Sequence, residues 1–277
     1  GLTSEPLYEG EPILAIAAVD ELTAAEAIEK IVIDFEPLPF VVDPLEALRP
    51  GSPNAREQGN VWVRPAAPAP GQPPAGGPRV EELKWTGDDF AAAADRQLPL
   101  GKATDEWSFG DVAAGLAQAD LVLDETFVGP NTSHEPMETR SAMAYWQNGK
   151  LFMHCSTQST MRTVGAVARW VGIEPKDVVV ISEYTGGGFG SKGSSSVFVV
   201  VPALLSKKAG APVMLRVTRE DEYYIGRARP ALHSRVKIGF KKDGRITAID
   251  GLAIVDNGPY DVVNDGRSAG DHISLSY

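Results

Sequence analysis

Apolar residues recur along this chain in two periods, one suited to strands and one to helices. Alternating or continuous apolar runs mark strands at 13–19, 31–35, 142–146, 151–155, 177–182, 213–217, 233–240 and 245–255. Helical spacing appears at Val164, Val167, Ala168 and Val171, with Gly172 where a C-cap falls, and again at Val112, Leu116 and Ala117 after Asp111. Thr23-Ala24-Ala25-Glu26 carries the letters of a capping box and predicts a short helix through Lys30, so the chain opens as β-α-β. Asn148-Gly149 and Asp243-Gly244 supply tight turns for two hairpins. An apolar helix is expected to end near Lys207-Lys208, with Gly210 beyond it, and Thr218-Arg219-Glu220-Asp221 reads as the cap of another. The fold class is α+β.

Between residues 49 and 101 the composition shifts to Pro, Gly and Ala, centred on the run 65–74. Such a stretch cannot sustain a central strand or a long helix, so 49–110 reads as a Pro/Gly-rich linker with a short helix near 89–96. It separates a first region, 1–48, from a second, 111–277.

With 43% hydrophobic and 23% charged residues, the chain can bury one large or two modest cores. A formal charge of -11 without any basic cluster argues against nucleic acid or an anionic membrane as partner. The single cysteine, Cys155, leaves no internal disulfide and no cysteine-ligated iron–sulfur cluster within this chain. The longest apolar stretch, 197–205, falls short of the roughly 20 residues that span a bilayer. No signal peptide is visible at Gly1-Leu2, and a cytoplasmic location is expected, with periplasmic placement by export alongside a partner as the other route.

The run Tyr184-Thr185-Gly186-Gly187-Gly188-Phe189-Gly190-Ser191-Lys192-Gly193 lies between a predicted strand and a predicted helix. Glycines around one aromatic bare backbone N–H groups, so an anionic or oxygen-bearing ligand can approach the main chain. Gly188 to Gly193 also spells G-x-G-x-x-G, yet the acidic residue expected about 20 positions later is missing. A purely structural loop is the plain alternative. Upstream, Cys155-Ser156-Thr157-Gln158-Ser159-Thr160 ends a strand and opens a helix; if the strands on either side run parallel, Gln158 faces the same cavity as Phe189. A neutral carboxamide there donates hydrogen bonds without adding charge, although Gln158 could equally serve only as a helix cap. His134, His154, His233 and His272 lack metal-ligand spacing, Glu135 and Glu138 read as turn carboxylates, and Ser194-Ser195-Ser196 offers no nucleophile.

Taken together, these stretches resemble the molybdopterin-binding large subunit of the molybdenum hydroxylases, the family of xanthine dehydrogenase, aldehyde oxidase and aerobic carbon monoxide dehydrogenase. Residues 8–12 through 35–39 look like the later part of an a/b hammerhead domain. His134-Glu135-Pro136-Met137-Glu138, Ser156-Thr157-Gln158, Gly186-Gly187-Gly188-Phe189-Gly190 and Arg219-Glu220-Asp221 look like the first half of the cofactor-binding region. The resemblance implies a partial hammerhead domain at 1–48 and the first half of a molybdopterin-binding domain at 111–277. It implies that Gln158 hydrogen-bonds an oxygen ligand of molybdenum and that Gly187, Gly188, Phe189 and Gly190 contact the cofactor, with Gln158 and Phe189 nearest the metal's oxygens. It also implies hydroxylation of an aldehyde or N-heterocycle carbon with water as oxygen source, on a molybdenum-molybdopterin cofactor in its cytosine dinucleotide form. Iron–sulfur clusters and FAD would sit on partner subunits.

Two departures qualify the likeness. Gly193 stands where purine-oxidising members carry a glutamate, so that mode of purine recognition is not expected. The family's catalytic base belongs to a region beyond Tyr277, so the chain reads as a fragment needing the remainder of the large subunit and inactive alone. A Rossmann-like NAD(P)-dependent dehydrogenase and a non-catalytic structural subunit are the rival readings.

Overall fold

The computed structural model describes residues 2–54, 56–63, 79–193, 195–225, 228–256 and 258, so the Pro-rich run 65–74 and Ser194 lie outside the described residues. In chain order, helix α1 (Glu21–Glu29) precedes strands β1 (Val61–Val63) and β2 (Arg79–Glu81). Helices α2 (Gly87–Ala91) and α3 (Val112–Ala117) lead to strands β3 (Leu121–Gly129) and β4 (Thr132–Ser133). Then come β5 (Ser141–Gln147), β6 (Lys150–Cys155), α4 (Thr160–Val171), β7 (Val178–Ile181), α5 (Val197–Ala209), β8 (Val213–Arg216) and α6 (Arg219–Ile225). Strands β9 (Ala228–Arg229), β10 (Ala231–Phe240) and β11 (Ile246–Asp256) follow. Among the described residues no helix is long and apolar enough to cross a membrane.

The chain divides into two compact units, the first made of Gly1–Phe35 and Ser133–Arg229, the second of Glu36–Thr132 and the segment that begins at Pro230. The first is built on a sheet of order β7-β6-β5-β8, in which β6 and β7 are parallel and β5 is antiparallel to both of its neighbours. Asn148 and Gly149 both take positive φ, 52° and 75°, the backbone that a two-residue hairpin turn demands. Period-two alternation sends Ala142, Ala144, Leu151, Met153 and Cys155 to one face, where Val167 and Ala168 of α4 and Val199, Val200 and Ala203 of α5 close the core. Trp146 joins strand to helix by donating its indole N–H to the Ala203 carbonyl at 3.0 Å. Burial pushes the Cys155 thiol up to about 11, so it stays protonated.

This strand order has a consequence for the loops. Parallel β6 and β7 place their C-terminal ends on one edge, and the antiparallel register Ala142↔Cys155 and Ser141↔Arg216 brings the start of β5 and the end of β8 there too. The segments 134–140, 156–159, 182–196 and 217–218 therefore all leave the sheet at the same edge.

In the second unit β10 lies between β11 and β3, all antiparallel. Helix α3 packs on this sheet where Gly115 has no side chain; a Cβ there would stand 2.4 Å from the Thr247 carbonyl oxygen. Arg235 grips Asp124 across the sheet in a two-pronged pair, Nε–Oδ1 2.7 Å and Nη2–Oδ2 2.8 Å. Burial acts against this carboxylate, but the Arg235 hydrogen bonds are the larger influence and hold it below the usual range.

Several expectations change. No strand forms at 13–19 or 31–35; Val19 and Val32 stand 93% and 87% exposed, and neither run pairs with another strand among the described residues. The β-α-β opening reduces to α1, and its cap is Asp20, which accepts from the Thr23 amide, instead of Thr23. The stretch 49–110 holds the antiparallel β1–β2 ladder and folds around buried Trp85, whose indole N–H donates to the Lys102 carbonyl at 2.9 Å. Its short helix lies at α2, capped by Thr86 and Asp89, rather than at 89–96. Strand β3 was not anticipated from the sequence, because Asp124-Glu125-Thr126 interrupts its apolar run.

Two outcomes follow for stability. Arg140, 3% exposed, is paired with Glu222, 1% exposed, so Arg140→Met should cost about 3–5 kcal/mol in urea unfolding by stranding a buried carboxylate. In Arg140→Met/Glu222→Leu the loss should be smaller than in either single variant. For Asp124 the folded carboxyl titrates below its unfolded value, so its contribution is complete above the ordinary aspartate range and is lost as pH falls through the folded value. The stability gap between the native chain and Asp124→Asn, followed by thermal melts, should close on acidification from neutral pH.

Candidate functional site

At the shared sheet edge of the first unit, Gln158 follows β6. Ser159 caps α4 by accepting from the Arg162 amide at 3.3 Å, so Gln158 is not the helix cap. Its backbone N–H donates to the Lys192 carbonyl at 2.9 Å, while its Oε1 accepts from the amides of Gly190 at 3.0 Å and Lys192 at 3.2 Å. The carboxamide thus lies flat against the glycine loop with its oxygen engaged, and its NH2 is the donor left over. Gly188 makes this possible: a Cβ there would stand 2.5 Å from Gln158 Oε1 and 2.7 Å from Cδ.

The backbone of the loop is equally unusual. φ is positive at Gly187 (96°), Phe189 (52°) and Gly190 (103°) but not at Gly188, and changes of hand of this kind fold successive amides into an anion-binding concavity. Gly186 N–H goes to Glu138, Ser191 N–H to the Gly188 carbonyl, and Gly193 N–H to the Gly190 carbonyl. Among the described residues the amides of Gly187, Gly188 and Phe189 have no protein acceptor. None of the loop's amides is consumed in sheet pairing. Phe189 is 63% exposed, and Arg229 holds its carbonyl through an Nη2 donor at 2.8 Å. The sequence-predicted residues Gln158, Gly187, Gly188, Phe189 and Gly190 are therefore gathered in one place. Helix α5 begins only at Val197, so the letters G-x-G-x-x-G end before the helix that a dinucleotide fingerprint would open.

Other residues at this edge lie in or beside stretches singled out from the sequence, but their links to one another were not legible there. Lys192 is buried and donates from Nζ to the Glu138 carbonyl at 2.8 Å and to its Oε2 at 2.9 Å. Glu138 Oε2 also accepts from Gly186 N at 2.6 Å. Burial opposes ionisation of Glu138, but the bonds from Lys192 and the Gly186 amide prevail and hold its carboxyl below the ordinary range. Glu138 is thus an anchored anion partnered by a lysine rather than half of a carboxylate pair. Arg140 binds Glu222 and donates from Nη2 to the Ser191 carbonyl at 2.8 Å. Arg219 reaches the carbonyls of Pro136 and Met137 at 2.6 and 2.9 Å. The sequence signals near these links are the 134–138 and 219–221 stretches of the family resemblance and the expected Thr218–Asp221 cap, which is formed.

Residues 95–272 match the family model described as molybdopterin cofactor-binding domain. The chain is 31% identical over 266 residues to the probable hypoxanthine oxidase XdhD of Escherichia coli (strain K12), covering 91% of this chain and 26% of that protein. It is 27% identical over 267 residues to the aldehyde oxidoreductase of Megalodesulfovibrio gigas, covering 95% of this chain and 25% of that one. The crystal structure of a Cu,Mo-CO dehydrogenase superposes with a TM-score of 0.64 at 25% identity, over 85% of this chain and 27% of that chain. The chain therefore spans about a quarter of the length of the curated relatives it matches. A glycine loop with bared amides, a carboxamide laid along it, and a family match that contains both place this chain in the molybdenum hydroxylase family, as a bearer of its molybdopterin cofactor-binding domain.

Proposed function

We propose that this chain is part of the molybdenum-cofactor-binding subunit of an oxidoreductase that hydroxylates a carbon of an aldehyde or N-heterocycle, with water as the oxygen source. The observation that carries this reading is the Gln158 carboxamide held by the Gly190 and Lys192 amides, beside unpartnered amides at Gly187, Gly188 and Phe189. This donor set fits an oxygen-rich, anionic group: it offers N–H donors with no carboxylate among them, and Gly188 keeps a side chain from filling the cradle. When bound, the cofactor supplies a Lewis-acidic metal and an acceptor for the substrate's electrons.

The chain's own contribution is to bind and orient. Gln158 presents its NH2 toward an oxygen of the bound group, and the amides of 187–189 complete the cradle. The Phe189 ring, 63% exposed beside these amides, would be the apolar surface available to shield the bound group from water. No residue among these has the chemistry of a base, and the proton acceptor is assigned to a region beyond Tyr277. Gly193 offers no carboxylate to a heterocycle's ring nitrogen, which favours recognition of substrate by other parts of the protein.

The finer assignments belong to the same reading. Residues 1–48 would be the later part of an a/b hammerhead domain, 49–110 a connector, and 111–277 the first half of the cofactor domain. The cofactor would carry a cytosine dinucleotide tail, and the remainder of the large subunit, an iron–sulfur subunit and an FAD subunit would complete a cytoplasmic hetero-oligomer.

Elemental analysis of the native complex should return stoichiometric molybdenum; an active, molybdenum-free preparation overturns the proposal. Gly188→Ala should expel the carboxamide, so its turnover and molybdenum content should fall as in Gln158→Ala, with about 1–2 kcal/mol of stability lost in each. Combining the two should do no further harm, since both remove the same contact. Independent, multiplying losses in turnover would count against this role for the carboxamide.

A further inference from the structure

Lys192 occupies a place that neither the motif letters nor the cofactor reading assigns. Its side chain is 2% exposed, and an ammonium held out of water is costly unless its partners are well placed. They are: Nζ lies 2.8 Å from the Glu138 carbonyl oxygen and 2.9 Å from Oε2. The same residue's backbone holds Gln158 at both ends, with its N–H on Oε1 at 3.2 Å and its carbonyl receiving the Gln158 amide at 2.9 Å. Thr157 Oγ1 donates to that carbonyl as well, at 3.2 Å.

Glu138 in turn closes on the front of the loop. Its Oε2 accepts from Gly186 N at 2.6 Å and its own N–H donates to the Gly186 carbonyl at 3.2 Å. Gly186 has no Cβ to separate them, since one would stand 2.5 Å from Glu138 Cβ. The bared amides of 187–189 are thus bracketed by Glu138 at Gly186 and by Gln158 at Gly190, and Lys192 binds both brackets. Arg140 and Arg219 hold neighbouring carbonyls, of Ser191 and of Pro136 and Met137.

We propose that Lys192 and Glu138 are positioning residues: their ion pair, buried at the lysine end and half-buried at Glu138, fixes the spacing between the two brackets and so aims the Gln158 NH2 and the loop amides at one ligand. This rests on the cofactor reading above. Each would act through the loop and through Gln158, since the bonds described for both side chains are to protein atoms.

The test uses the native holo-complex with Lys192→Met, Glu138→Ala and the milder Glu138→Gln, which keeps one acceptor oxygen able to take the place of Oε2 for both Gly186 and Lys192. Molybdenum content, the paramagnetic-resonance signature of the reduced metal at matched metal content, and kcat and KM are read for each. Lys192→Met and Glu138→Ala should lower kcat by about 10- to 100-fold with little change in KM, and should shift the resonance signature of whatever molybdenum remains. Glu138→Gln should recover most of both. If Lys192→Met does not assemble, Glu138→Ala against Glu138→Gln carries the comparison alone. A native complex rich in molybdenum whose variants keep its signature and kcat overturns the positioning role while leaving the cofactor reading intact. Lost thermal stability with an unchanged signature overturns it equally, whereas absence of molybdenum from the native complex would remove the cofactor reading itself.

Discussion

The buried pair of Arg140 and Glu222 is the constraint on which the sheet edge depends. Arg140 stands just before β5 and Glu222 lies in α6, 82 residues later, yet the carboxylate takes both the Arg140 backbone N–H at 2.8 Å and its guanidinium. Another nitrogen of that guanidinium holds the Ser191 carbonyl. One side chain therefore ties the entry of the sheet, the helix after its last strand, and the glycine loop. Desolvating two charges offsets much of their attraction, so the pair contributes little net stability compared with an apolar equivalent. Its effect is geometric: once the charges are buried, only arrangements that keep them together are tolerated.

Charge placement near the loop follows one rule. The chain carries a net charge of -11, but its buried cations, Arg140 and Lys192, are each matched by a glutamate and by backbone carbonyls. Each pair is neutral as a unit, and a further cation beside the loop, Arg229, is engaged with the Phe189 carbonyl. The loop itself offers amide dipoles and one carboxamide, donors that favour oxygen acceptors without fixing a protonation state. A lysine or arginine in the position of Gln158 would bind an anion more strongly and would also pull electron density from whatever it touched. The neutral side chain sets direction with less electronic bias.

Much of the first unit is legible in the sequence because its signals are local. The Asn148-Gly149 turn, the alternation through β5 and β6, the stripe of α4 and its left-handed cap at Gly172 each depend on a few adjacent residues, and each is realised. The failures are of the opposite kind. Residues 13–19 and 31–35 have strand composition, but a strand also needs a neighbour, and none is available to them among the described residues. Trp85 organises a stretch whose prolines and glycines suggested no structure, because its backbone N–H donates to the Leu48 carbonyl at 2.8 Å and its indole N–H to the Lys102 carbonyl at 2.9 Å, joining well-separated positions. At the site, Gln158 and Gly188 were marked by motif spacing. Lys192 and Glu138 lie in stretches singled out from the sequence, but their pairing was not legible, since a pair 54 residues apart is created by topology alone.

That topology explains why the site lies where it does. A parallel β6–α4–β7 unit by itself would bring together only the loops after Cys155 and Ile181, hence Gln158 and the glycine loop. Antiparallel addition of β5 and β8 turns two further chain reversals toward the same edge and delivers Glu138, Arg140 and Arg219. Phe189 shows what this support permits. A bulky residue at φ 52° costs on the order of 1 kcal/mol, and its ring is largely exposed, so nothing in the residue itself favours that conformation. It is held by Arg229 on its carbonyl and by Gln158 on the next amide, both of which grip backbone and leave the ring unengaged. Strain at the centre of the loop is thus sustained by bonds at its margins, which is how a rigid sheet edge can hold a cradle of open amides in place.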